Sequence, residues 1–121
     1  MLEIEILDSL KEFIGSEPFG QYLSEYVANT QRNIDQLGIA IGAEDDERVS
    51  QFSHKLKGSA GNIGALKLSE ACGRMQSLVV EYESTDTIRD QFHQIRDIYQ
   101  QTRDALNKYI ADLEHSGLKV G

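Results

Sequence analysis

A single proline, Pro18, interrupts 121 residues whose apolar side chains recur every three or four positions almost from end to end. That period lines one face of an α-helix, and the alternation that marks a half-buried strand is scarce. The chain is therefore expected to be all-α. A short first helix runs from about Ile4 to Ile14, with Ile6, Leu7, Leu10 and Phe13 as its apolar residues. Gly15-Ser16-Glu17-Pro18 reads as a stop and restart, because proline is tolerated in a first helical turn. The second helix is expected over Pro18 to Ile41, on a stripe of Phe19, Tyr22, Leu23, Tyr26, Val27, Ile34, Leu37 and Ile41, with Gly38 and Gly42 weakening its end. The third follows Glu44-Asp45-Asp46-Glu47, acids that suit the positive end of a helix dipole better than a metal. It should end near Gly61-Asn62-Ile63-Gly64, a turn signal. The fourth, about Leu66 to Glu83, carries Leu68, Ala71, Cys72, Met75, Leu78, Val79 and Tyr82. The fifth, about Asp86 to Glu114, follows a Ser84-Thr85-Asp86 cap and should be roughly 40 Å long.

Four long amphipathic helices with short links specify an antiparallel four-helix bundle, over about residues 18–115, with a short N-terminal capping helix in residues 1–15. Residues 116–121 are expected to fray as a tail, and the whole of 1–121 to form one domain. Twelve basic and twenty acidic side chains leave a net charge of −8. That balance argues against nucleic acid and anionic membrane as partners, since both need a basic patch. No apolar run approaches the ~20 residues that span a bilayer, and the N-terminus lacks the pattern of a signal peptide. A cytoplasmic setting is the default expectation. One cysteine excludes an internal disulfide and a Cys-rich metal site. The length leaves no room for a kinase with its own nucleotide site.

The third helix does not read as purely structural. At ~100° per residue, with Phe52 at zero, Val49, Leu56, Ala60 and Ile63 centre the buried face near 40°. His54 falls near 200° and must face solvent. Gly61 lies within about 20° of it, Gly58 and Ser50 within about 40°, and Lys57 within about 60°. Glycine in an exposed helix face costs ~1 kcal/mol relative to alanine, so a surface cleared by two of them calls for an explanation. His54 could be an incidental surface residue. A metal ligand fits poorly, because no second ligand stands four residues on, where Gly58 lies. A nucleophile that must meet a large partner accounts for every neighbour. The glycines give room, the lysine offsets negative charge, and neutral imidazole is nucleophilic near its ordinary pKa of ~6.5.

The run His54-Lys55-Leu56-Lys57-Gly58-Ser59-Ala60-Gly61-Asn62-Ile63-Gly64-Ala65 resembles the signature of histidine-containing phosphotransfer (HPt) domains, His-x-x-Lys-Gly-Ser/Ala followed by Gly-Ala. The resemblance implies a monomeric four-helix bundle acting as a phosphorelay intermediate. It places the phosphorylated histidine on His54, the phosphoryl-stabilising lysine on Lys57 and the small residue that admits a receiver domain on Gly58. A glutamine that some members use to hold the other imidazole nitrogen falls on Gln76. Gly61 and Ser50 join Gly58 as residues that leave partner access. The implied partners are the receiver domain of a hybrid sensor histidine kinase and that of a response regulator. No cofactor is implied, the Mg2+ belonging to the receiver. Dimerising histidine-kinase domains read His-Glu/Asp-Leu-Arg-Thr-Pro at their site, whereas Lys55 follows His54 here and no proline comes after. The competing function is an interaction-only bundle that binds a receiver without transfer. His93 and His115 read as surface residues, Cys72 as core packing, and the five tyrosines as core-side residues and not a base-stacking platform.

Overall fold

The backbone of residues 2–120 and the side chains of residues 2–115 are described by a computed structural model. Five helices follow in order: α1 Ile4–Ile14, α2 Ser16–Gly42, α3 Asp46–Asn62, α4 Leu66–Val80 and α5 Thr85–Val120. The three links between the long helices use one device. A residue just past each helix takes a left-handed backbone: Glu44 at φ 54°, Gly64 at 78° and Tyr82 at 55°. The N–H of that residue donates back three positions, and the next N–H donates back five. The pairs are Glu44 to Ile41 and Asp45 to Ala40, Gly64 to Gly61 and Ala65 to Ala60, and Tyr82 to Val79 and Glu83 to Leu78. Carbonyls that each helix end would leave unpaired are thereby satisfied.

Links this short force successive helices to run antiparallel. α2 packs on α3 and α5, α4 packs on α3 and α5, and the ring closes as a four-helix bundle. Its core includes Phe19, Leu23 and Leu37 of α2, Leu56 of α3, Leu68 and Met75 of α4, and Ile95 and Leu106 of α5, all fully buried. Each such side chain contributes ~1.5–3 kcal/mol relative to exposure. Tyr99 ties α5 to α2 by donating from its hydroxyl to the Val27 carbonyl at 2.8 Å.

The expected capping helix is α1, and it closes the end of the bundle where α3 hands over to α4. Leu7 is fully buried. The Glu3 N–H donates to the Gly64 carbonyl at 2.9 Å, and Tyr109 of α5 donates to Asp8 at 2.8 Å.

Several expectations are corrected. α4 stops at Val80, short of Glu83, and Tyr82, turned outward by its left-handed backbone, is 88% exposed instead of lying on the core stripe. Tyr22 is likewise exposed. Gly38 does not weaken the end of α2, which runs on to Gly42. A Cβ at Gly38 would sit 2.8 Å from Cζ of Phe92, so the glycine permits close approach of α5. α5 is helical as far as Val120 where a tail from Ser116 was expected. The side chains of 116–120, and Gly121 altogether, lie outside the described residues.

Candidate functional site

The site is built on α3. Its first turn is fixed by Asp45, whose side chain accepts from the Arg48 N–H at 3.2 Å, a cap typically worth ~1 kcal/mol. From there the helix buries Val49, Ser53, Leu56 and Ala60. Phe52, the expected centre of that face, is only half-buried, and Ser53 is fully buried in its place. The buried arc thus turns by about 20° toward Ser53, since that residue lies ~100° beyond Phe52. His54 stays on the far side and is exposed.

One turn on, Gly58 is also exposed, and a Cβ built there would meet nothing within 4 Å. His54 and Gly58 together make an open, bare surface. Ser50, one turn earlier, is half-exposed. Gly61 differs from the expectation of a wholly open position. It is half-buried, and a Cβ on it would lie 3.7 Å from the Ser69 hydroxyl of α4. Its bareness therefore serves the α3–α4 seam as well as the outer face.

Lys57 borders the same seam. The Ser69 hydroxyl donates to its carbonyl at 3.0 Å. Its side chain runs past Gly73, where a Cβ would meet Lys57 Cδ and Cε at 3.5 Å and Nζ at 3.8 Å. These contacts set the register of the two antiparallel helices, 57 against 73 and 61 against 69. Three steps back along α3 and three forward along α4 put Gln76 level with His54. Gln76 is half-exposed, and among the described residues it makes no hydrogen bond to the imidazole.

Charge is segregated in the same way. From Asp46 of α3 to Val80 of α4 there are five basic side chains, Arg48, Lys55, Lys57, Lys67 and Arg74, and three acids, Asp46, Glu47 and Glu70. The remaining seven basic and seventeen acidic side chains lie outside that hairpin. A chain that is strongly acidic overall thus carries its histidine on a helix pair with two more basic than acidic side chains, and Glu47 lies within about 20° of His54 on the same face of α3. This segregation, and the roles of Ser69 and Gly73, are invisible when charge is counted over the whole chain or when helices are read one at a time.

The other candidates stay apart. His93 and His115 are exposed on α5, which packs on α2 and α4. Cys72 is fully buried, and burial pushes its thiol up to about 12. Among the described residues no group of three His, Cys, Asp or Glu side chains could hold a metal ion, and no helix is long and apolar enough to cross a membrane. What the arrangement offers is an unhindered imidazole, a neighbouring ammonium and a carboxamide at the same level, on a convex surface.

Comparison with known proteins bears on the same region. The Hpt domain family matches residues 21–105, which takes in α3, α4 and every candidate site residue and leaves α1 outside. The chain is 23% identical over 75 residues, 62% of its length, to the sensor protein TorS of Escherichia coli (strain K12), and spans 8% of the length of that curated relative. Its fold is similar to that of histidine-containing phosphotransfer protein B from Pseudomonas aeruginosa PAO1, with a TM-score of 0.84 at 18% identity over 92% of this chain and 95% of that one.

Proposed function

The chain belongs to the Hpt domain family, and from that premise we propose that His54 is the residue that takes up and gives away the phosphoryl group. The role itself is histidine phosphotransfer in a two-component phosphorelay, as a carrier and not a kinase, with receiver domains as partners. The observation that carries the assignment to His54 is the open face: an exposed imidazole, and nothing beyond the backbone of its own helix within 4 Å of the place a side chain on Gly58 would begin.

On this reading Nε2 of neutral His54 attacks the phosphorus of a receiver's aspartyl phosphate in line. The bond from phosphorus to the carboxylate oxygen breaks as the N–P bond forms, and the receiver's carboxylate is restored. A second receiver's aspartate then displaces the imidazole by the reverse step. Gln76, level with His54 but not bonded to it in the free chain, turns its carboxamide oxygen to accept from Nδ1–H in the complex and keeps Nε2 free to attack. Lys57 offsets the charge of the phosphoryl oxygens. The divalent metal is the receiver's, and the chain itself takes no cofactor. The two receivers belong to a hybrid sensor histidine kinase and a response regulator, the chain acts as a monomer, and the setting is cytoplasmic.

The test is mass spectrometry at neutral pH after incubation with a phosphorylated receiver. One phosphoryl group on His54 is expected, lost in His54→Gln without loss of helicity, and ATP with Mg2+ alone should give none. Label on His93 or His115 in the variant, or autophosphorylation of the pure chain, would overturn the assignment.

A further inference from the structure

We propose that Gly73 of α4 is a positioning residue for Lys57. It leaves a bare strip along which the lysine's methylene arm lies, so that the ammonium stays in the α3–α4 seam, one turn from His54. The inference rests on the reading of His54 as the phosphoryl carrier. It starts from an asymmetry. Lys57 is exposed, as a lysine on a helix surface ordinarily is. Such an arm normally samples many rotamers, and fixing it is entropically unfavourable. Here three successive atoms of the arm, Cδ, Cε and Nζ, lie within 3.5–3.8 Å of the point where a Gly73 Cβ would sit. The stem covers the helix surface while the charged end stays in water, the usual compromise of a long basic side chain.

The backbone beneath the arm is fixed as well. Ser69, one turn before Gly73, donates to the Lys57 carbonyl at 3.0 Å. Root and stem of the lysine are thus both held by α4, by a hydroxyl at 69 and by an absent side chain at 73. α4 otherwise has no local need of a glycine at 73. The residue lies mid-helix between the buried Cys72 and Met75, with no left-handed backbone, and alanine there would be better for the helix by ~1 kcal/mol. A Cβ at 3.5 Å is an ordinary contact that Lys57 can keep. A longer side chain would occupy the strip and lift the arm off it.

Three variants and one spectrum test this. Gly73→Ala should leave phosphohistidine lifetime and transfer rate within about twofold of wild type, since its contact with the arm is ordinary van der Waals. Gly73→Leu and Gly73→Gln should melt at or above wild type and lower both quantities by about 3–10-fold, the range for a charged hydrogen bond discounted for exposure. The loss should match that of Lys57→Ala, and Gly73→Leu added to Lys57→Ala should change nothing further, because the two act through one group. Nuclear Overhauser effects from the Gly73 α-protons to the Lys57 δ- and ε-protons should be present in the unphosphorylated protein. Their absence would overturn the proposal, as would wild-type rates in Gly73→Leu, no effect of Lys57→Ala, or additive losses in the double variant. Wild-type protein that takes no label on His54 would instead overturn the function proposed above, while the Overhauser contacts would still report where the lysine lies.

Discussion

Replacing Gly58 first with alanine and then with glutamine separates access from stability. Gly58 is exposed in the second half of α3, and nothing lies within 4 Å of where its Cβ would be. Alanine there removes a backbone-entropy cost of ~1 kcal/mol and meets nothing beyond its own helix. At ~2.1 cal/mol/K of unfolding entropy per residue, that gain raises the melting temperature of a domain this size by about 4 °C. Glutamine is nearly as good a helix former, so its variant should also melt at or above wild type. Transfer should behave in the opposite way. On the proposed reading a receiver brings its aspartyl phosphate to an imidazole one turn away, and a glutamine reaches into that approach. Misplacement by ~1 Å can cost ~100-fold in rate. Gly58→Gln should therefore lose most of its transfer rate while Gly58→Ala loses less.

The assay is thermal melting and phosphotransfer on the same preparations, with Gly38→Ala as the contrasting control. A Cβ at Gly38 would stand 2.8 Å from the Phe92 ring. Overpacking of that kind costs ~1–3 kcal/mol, which outweighs the propensity gain and lowers the melting temperature. Transfer by the folded fraction should be unchanged. If Gly58→Gln proved destabilised, or stable with transfer at the wild-type rate, the open-face assignment would be refuted.

Gly64→Ala should destabilise by at least ~1–2 kcal/mol in chemical denaturation. The residue has φ 78° and its Cβ would stand 2.9 Å from the Glu3 carbonyl, so strain and loss of α1 docking act together; an unchanged midpoint would show that α1 does not depend on that turn. Glu44→Gly should stabilise by up to ~1 kcal/mol, because a left-handed glutamate is replaced by a residue that adopts φ 54° freely, and a lower midpoint would contradict the turn geometry. Cys72, raised from its ordinary 9.0 to about 12 by burial, should be inert to thiol reagents until the protein unfolds. In the unfolded chain it loses its proton near 9 while the folded chain keeps it, so stability should fall as pH rises above 9 by up to ~1.4 kcal/mol per unit; Cys72→Ala should flatten that slope, and an unflattened slope would mean the thiol is not its source.

The helices were legible because their apolar residues are spaced for one face each, and the placement of His54 followed from the same spacing. What escaped was whatever depends on a second element. Ser53 is small and polar, so it carried no weight in locating the buried arc of α3, yet its size suits it to the core and Phe52 stands half out. Gln91 is buried on α5 because its side-chain amide donates to the Ala71 carbonyl of α4 at 2.8 Å, a partner that no periodicity announces. Gly64 advertised its turn, but Glu44 and Tyr82 fill the same left-handed position without a glycine to mark it. From sequence alone Tyr82 therefore reads as core. Gly38 looked like a breaker because its reason, the Phe92 ring, is more than fifty residues away. At the site, His54, Lys57 and Gly58 could be read from one helix, whereas Ser69 and Gly73 became visible only once the pairing of α3 with α4 was known.

On the proposed reading, that pairing lets one helix be both a wall of the core and a docking surface. A bundle helix must bury an arc, and α3 does so with Val49, Ser53, Leu56 and Ala60. The opposite arc is free of packing demands, which is where a group that must be met by another protein can stand without leaving a hole in the core. Freedom from packing also means freedom to move, and a mobile cation beside a phosphoryl group would stabilise it poorly. The α3–α4 seam resolves that conflict. It lies between the two arcs, where the arm of Lys57 rests along Gly73 of α4 while His54 stays exposed. The cationic hairpin in an otherwise acidic chain follows the same division. Acids outnumber bases seventeen to seven outside the hairpin, and the small net positive charge lies on the two helices that, on the proposed reading, meet a receiver's acidic pocket.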